Sequence, residues 1–109
     1  MINLDVFRDL LLDADPAITK YDGGGTENYT TWTPGGVDRR LADDEDDDQV
    51  QRVYVDRFTK KDKDPIVDAI WDKLNAARIP FEYERDYEPD TGYIHHIFTC
   101  YVAGTKEGG

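Results

Sequence analysis

Residues Val50–Lys60, "VQRVYVDRFTK", alternate in a way that fixes much of the rest of the chain. Val53 and Val55 fall on one side of an extended segment, and Tyr54, Asp56 and Phe58 on the other, because successive side chains of a strand point to opposite faces. A strand with one apolar face needs a second layer to cover it. Two helical segments supply that layer.

The first is "NLDVFRDLLLDA", Asn3–Ala14, which sets Phe7, Leu10, Leu11 and Ala14 on one helical face. Asn3 is the expected N-cap and Asp5 sits in the positive first turn, while Pro16 ends the helix by disfavouring the α conformation at Asp15. The second is "DPIVDAIWDKLNAARIP", Asp64–Pro80. Asp64 caps it, Pro65 takes the first helical position, and Ile66, Val67, Ile70, Trp71, Leu74 and Ala77 form a broad apolar stripe. Arg78 lies at its negative end.

Further strands are expected at Ala17–Tyr21 and Tyr29–Thr33, and in a hairpin from Phe81 to Val102. Phe81, Tyr83, Arg85 and Tyr87 share a face of the first hairpin strand; Ile94, Phe98, Cys100 and Val102 of the second suit a core. "EPDTG" between them is turn chemistry, with Gly92 able to take positive φ. Pro34–Gln49 reads as a long acidic loop, and residues 103–109 as a loose tail. The expectation is one α+β domain over residues 1–109 in the order α-β-β-β-α-β-β. Its antiparallel or mixed sheet has about five strands, with two helices packed on it.

The net charge of −11 argues against sequence-independent binding of nucleic acid, which needs clustered Lys and Arg, and against anionic membranes. No apolar run approaches the ~20 residues of a spanning helix, so a cytoplasmic protein is expected. Cys100 is the only cysteine, which leaves it no partner for an intramolecular disulfide or a paired-thiolate zinc site. Serine is absent, and with it the serine nucleophile.

Six consecutive acids, Asp43, Asp44, Glu45, Asp46, Asp47 and Asp48, invite a cation-site reading. A calcium loop needs Gly at its sixth position and Glu at its twelfth. Counted from Asp43 these are Asp48 and Tyr54, and from Asp44 they are Gln49 and Val55, so neither register fits. An exposed loop is the plainer reading, since adjacent carboxylates repel. His95 and His96 are neighbours in a strand and point to opposite faces, so they do not chelate one ion together; His96 faces the core as a satisfied histidine. "DGGGT" (Asp22–Thr26) lacks the Lys and the following helix of a phosphate-binding loop. With no nucleophile–base constellation in the sequence, no enzyme, metal or cofactor is expected. An acidic DNA mimic or inhibitor of a basic nucleic-acid-binding partner is the alternative use of so much negative charge.

One further pattern emerges from the order of the segments. "NYTTW" (Asn28–Trp32), "ADDE" (Ala42–Glu45), "VYVDRFTK" (Val53–Lys60) and "YEPDTGYIHHIF" (Tyr87–Phe98) follow one another at a spacing that resembles the small tail-completion, or tail-terminator, proteins of long-tailed bacteriophages and prophages. The resemblance covers Tyr29 to Val102, and its order and spacing carry it rather than any single motif. Two departures stand out: Arg57 occupies an inward strand position where the family pattern has an apolar residue, and the acidic loop is longer and more acidic.

The resemblance implies a structural, non-enzymatic role in virion assembly. About six copies, monomeric before assembly, would close into a ring at the head–tail junction and meet tail-tube and head-connector proteins. A head-completion role is the neighbouring alternative. The protein would act in the host cytoplasm during assembly and then in the virion. The expected contact residues, from exposure and position, are Asp43–Asp48 in the loop and Glu88, Asp90, Tyr93 and His95 at the hairpin. The loop acids would either line the channel or dock on a basic surface.

Overall fold

The computed structural model describes residues 4–20, 27–39 and 49–104. In chain order the elements are α1 (Asp5–Ala14), β1 (Thr19–Lys20), β2 (Tyr29–Arg39), β3 (Gln49–Thr59), α2 (Pro65–Ala76), β4 (Phe81–Glu88) and β5 (Tyr93–Gly104). The sheet runs β1-β2-β3-β5-β4. Its four long strands are antiparallel, and the two-residue β1 adds a short parallel contact through Thr19–Thr31 and Lys20–Trp32. The fold is α+β. Among the described residues no helix is long and apolar enough to cross a membrane.

Both helices lie on one face of the sheet. The register places Trp32, Val55, Phe98 and Tyr83 side by side, with Val53, Cys100 and Phe81 in the adjoining row. Phe7, Leu11 and Ala14 of α1 and Ile70 and Leu74 of α2 close over these rows. Phe7 meets Trp32 edge-on at 6.5 Å, and Trp71 meets Phe81 at 5.0 Å. Burying an aliphatic or aromatic side chain this fully contributes about 1.5–3 kcal/mol each, so this one cluster carries most of the hydrophobic stabilisation.

Helix α2 starts as its sequence dictates: the Asp64 carboxylate accepts the Ile66 N–H at 2.9 Å and Pro65 opens the helix. Its end is less predictable. Ile79 N–H reaches back to Leu74 C=O and Arg78 N–H to Asn75 C=O, the paired bonds of a Schellman motif, with Arg78 in the left-handed region at φ 58°. The expected apolar stripe is correspondingly narrower: Ala77 lies past the helix and is exposed, and Trp71 is 40% exposed. Helix α1 has Leu4 at its N-cap without a side-chain cap; Asn3 lies outside the described residues. Asp15 turns extended before Pro16, as expected.

Strand β2 corrects the reading of Pro34–Gln49 as loop. It continues to Arg39, and Gln49 already belongs to β3. "PGG" is a bulge within the β2–β3 pair, where the register shifts by one residue between Pro34 and Val37. Pro34 is tolerated because only the two-residue β1 flanks β2 on its other side. A Cβ at Gly35 would stand 2.6 Å from the Tyr54 ring, so any larger residue there forces the ring to move. The Gln51 side-chain amide completes the bulge: its Nε2 donates to Gly35 C=O at 2.7 Å. Residues 103 and 104, expected in a loose tail, belong to β5. At the hairpin Gly92 has φ 79° and its N–H returns to Glu88 C=O at 2.8 Å, so the turn chemistry holds.

Candidate functional site

Among the described residues, nothing packs over the second face of the sheet, and aromatic side chains gather there. The register sets Tyr29, Phe58 and His95 in one row across β2, β3 and β5. Tyr29 stacks on Phe58 at 4.8 Å, His95 stacks on the other side of Phe58 at 4.0 Å, and Tyr93 meets Phe58 edge-on at 6.3 Å. The Lys60 ammonium lies 5.0 Å over the Tyr93 ring, a cation–π contact. His95 Nε2 is 2.9 Å from the Asp56 carboxylate in the next row. Asn28 accepts the Lys60 N–H at 2.9 Å and so ties the start of β2 to the end of β3. Partial burial, together with the neighbouring Tyr93 phenol and Glu88 carboxylate, pushes the Tyr29 phenol up.

Of the residues expected at the hairpin, Tyr93 and His95 enter this cluster. Glu88 pairs with Tyr93 across the β4–β5 ladder and accepts the Thr91 hydroxyl at 3.2 Å. Asp90 is exposed in the turn, apart from the cluster. Asp43–Asp48 and the Asp22–Thr26 glycine loop lie outside the described residues. Sequence reasoning put Phe58 on the outer face but did not connect it with Tyr29, because only the register brings them together.

Beneath the helices lies a polar layer in an otherwise apolar interior. Arg57, 6% exposed, donates from Nε and Nη2 to Asp64 Oδ2 at 3.0 and 2.8 Å, and from Nη1 to the Thr30 hydroxyl at 3.2 Å. Its Nη1 also stands 3.6 Å from Asp15 Oδ2. One guanidinium therefore joins the C-terminus of α1, the N-cap of α2 and the centre of the sheet. Burial alone would raise the Asp64 carboxyl. The Ile66 N–H, the Thr59 hydroxyl and Arg57 together outweigh it and hold the group below its usual range. The inward charge of Arg57 is thus matched by two carboxylates.

His96 neighbours Arg57 on the same face. Its Nδ1 is 2.6 Å from the Tyr83 hydroxyl, whereas its buried Nε2 has no hydrogen-bond partner, so it is half satisfied rather than fully. Burial first, then the positive charges of Arg85 and Arg57, lowers its pKa and keeps the ring neutral. Burial pushes the Cys100 thiol up to about 12, which makes it an inert core side chain. Among the described residues no group of three or more His, Cys, Asp or Glu is placed to hold a metal ion. A cleft of about 320 Å³ beside α1 is lined by Leu4, Leu12, Ile18 and Trp32 with the Asp5–Arg8 pair.

No known protein-family profile matches the chain, and no curated protein sequence matches it.

Proposed function

We propose that this chain is a non-enzymatic assembly protein of a tailed bacteriophage or prophage: a tail terminator whose copies close into a ring where the tail tube meets the head. The observation that carries the reading is a convergence. Residues from three of the segments that resemble the family, Tyr29 of "NYTTW", Phe58 of "VYVDRFTK" and Tyr93 and His95 of "YEPDTGYIHHIF", meet in one aromatic cluster on the uncovered face of the sheet. A contact surface between subunits uses aromatic side chains in this way. The partners are further copies of the chain, the tail tube and the head connector.

Deleting the gene from the phage or prophage that encodes it tests the reading. Electron microscopy of the resulting lysate should show separated heads and tails, with few infectious particles. Joined, infectious particles at the wild-type yield would overturn the proposal.

A second reading, an acidic mimic that occupies a basic nucleic-acid-binding cleft, has one observation in its favour. Glu82, Glu84, Asp86 and Glu88 form a regular row along β4, about 6.8 Å apart at strand spacing. Retention by an immobilised DNA-binding enzyme, with release by competing DNA, would favour it over the assembly role.

A further inference from the structure

Strand β4 ends the sheet, and no described residue pairs with its outer side. The direction of its backbone groups follows from one bond. Tyr101 N–H donates to Pro80 C=O at 2.9 Å, and the ladder from Phe81–Cys100 to Glu88–Tyr93 continues that pairing without a shift. Bonded and non-bonded pairs alternate in an antiparallel ladder. Glu82, Glu84 and Asp86 therefore bond to β5, while the N–H and C=O groups of Phe81, Tyr83, Arg85 and Tyr87 point away from the sheet.

The two faces of this edge differ sharply. Every residue of β4 on the open face is an acid: Glu82, Glu84, Asp86 and Glu88. On the helix face stand Phe81, Tyr83, Arg85 and Tyr87, the last 60% exposed, with Trp71 of α2 packed against Phe81 and Tyr83. We propose that β4 is a strand-addition site for an extended segment of another protein, one carrying Lys or Arg at alternate positions with apolar residues between them. Its backbone would continue the ladder on the free groups of β4. Its basic side chains would pair across to the acid row, and its apolar ones would meet the aromatic side.

Charge complementarity selects this occupant. A second copy docking through its own β4 would set four acids against four acids. Among the described residues, no strand carries basic residues at successive alternate positions. Acids on an edge strand protect it from pairing with its own kind; the same row is selective for a basic strand. The inference is independent of the assembly role proposed above.

The test uses the full chain and two synthetic peptides of the same composition, one alternating Lys and Val and the other with the Lys and Val residues in separate blocks. Amide hydrogen exchange by NMR reads the outcome. In the free protein the Tyr83, Arg85 and Tyr87 amides should exchange fast and the Glu82, Glu84 and Asp86 amides slowly. The alternating peptide should bind at least about tenfold more tightly than the block isomer, by the sum of its cross-strand pairs, and should protect the three outward amides. Arg85→Pro removes an outward N–H that makes no ladder bond, so it should leave the fold intact by circular dichroism and abolish that protection. Equal binding of both peptides without protection would overturn the proposal, as would outward amides already protected in the free chain.

Discussion

Replacing Arg57 by Met tests the buried polar layer most directly. The substitution keeps much of the side-chain volume but leaves the Asp15 and Asp64 carboxylates without their cation, at sites that are 5% and 6% exposed. Removing one partner of a buried ion pair costs about 3–5 kcal/mol, because the remaining charge stays out of water. The lost Thr30 bond adds about 1 kcal/mol. A domain of this kind has about 5–15 kcal/mol in total. At a urea slope of about 1–2 kcal/mol per molar, the unfolding midpoint should fall by roughly 2–6 M at about pH 7.

Acid should narrow that gap. The folded-state pKa of Asp64 lies below its ordinary 3.8, so its contribution is complete above that value and disappears as pH falls through the lower, folded pKa. Without Arg57 the same carboxyl protonates more easily, and the variant has less to lose on acidification. Adding Asp15→Asn and Asp64→Asn to Arg57→Met removes the stranded charges and keeps the oxygens that accept from Ala17 and Ile66, so it should recover at least half of the loss. A cost below about 1 kcal/mol for Arg57→Met, or a cost unchanged in the triple variant, would refute the reasoning.

Other consequences are simpler to measure. Arg78→Gly should stabilise the protein by about 0.5–1 kcal/mol in urea unfolding, since glycine takes the left-handed Schellman position without steric cost. Gly35→Ala should destabilise by about 1–3 kcal/mol, and the added Tyr54→Ala change should remove most of the coupling in a double-mutant cycle. Cys100 should resist alkylation by iodoacetamide in the native protein at about pH 8 and react fully in urea, as followed by mass spectrometry.

How far these features are legible in the sequence depends on the range of the interactions that set them. Asp64–Pro65 and Gly92 act within a few residues, and both do in the structure what their chemistry implies. The alternation of β3 is likewise local, and its inward and outward faces fall where the pattern puts them. "PGG" misleads, because the same residues punctuate loops and bulges; only the partner strand and the Tyr54 ring distinguish the two. Arg57 looks anomalous until Asp15 and Asp64 are placed beside it, and that requires both helix ends in three dimensions. The aromatic cluster falls between these cases. Its members show on their strands, but their meeting depends on register, which sequence spacing does not encode.

The position of β3 between β2 and β5 has a consequence for how the chain reaches this state. Its second neighbour arrives only after α2 and β4 have been made. During synthesis the central strand therefore waits with one flank bare, while the hairpin that will cover it is still emerging. Long-range pairing of this kind closes slowly. The interval before β5 arrives is when a nascent chain of this design most needs a chaperone's shelter.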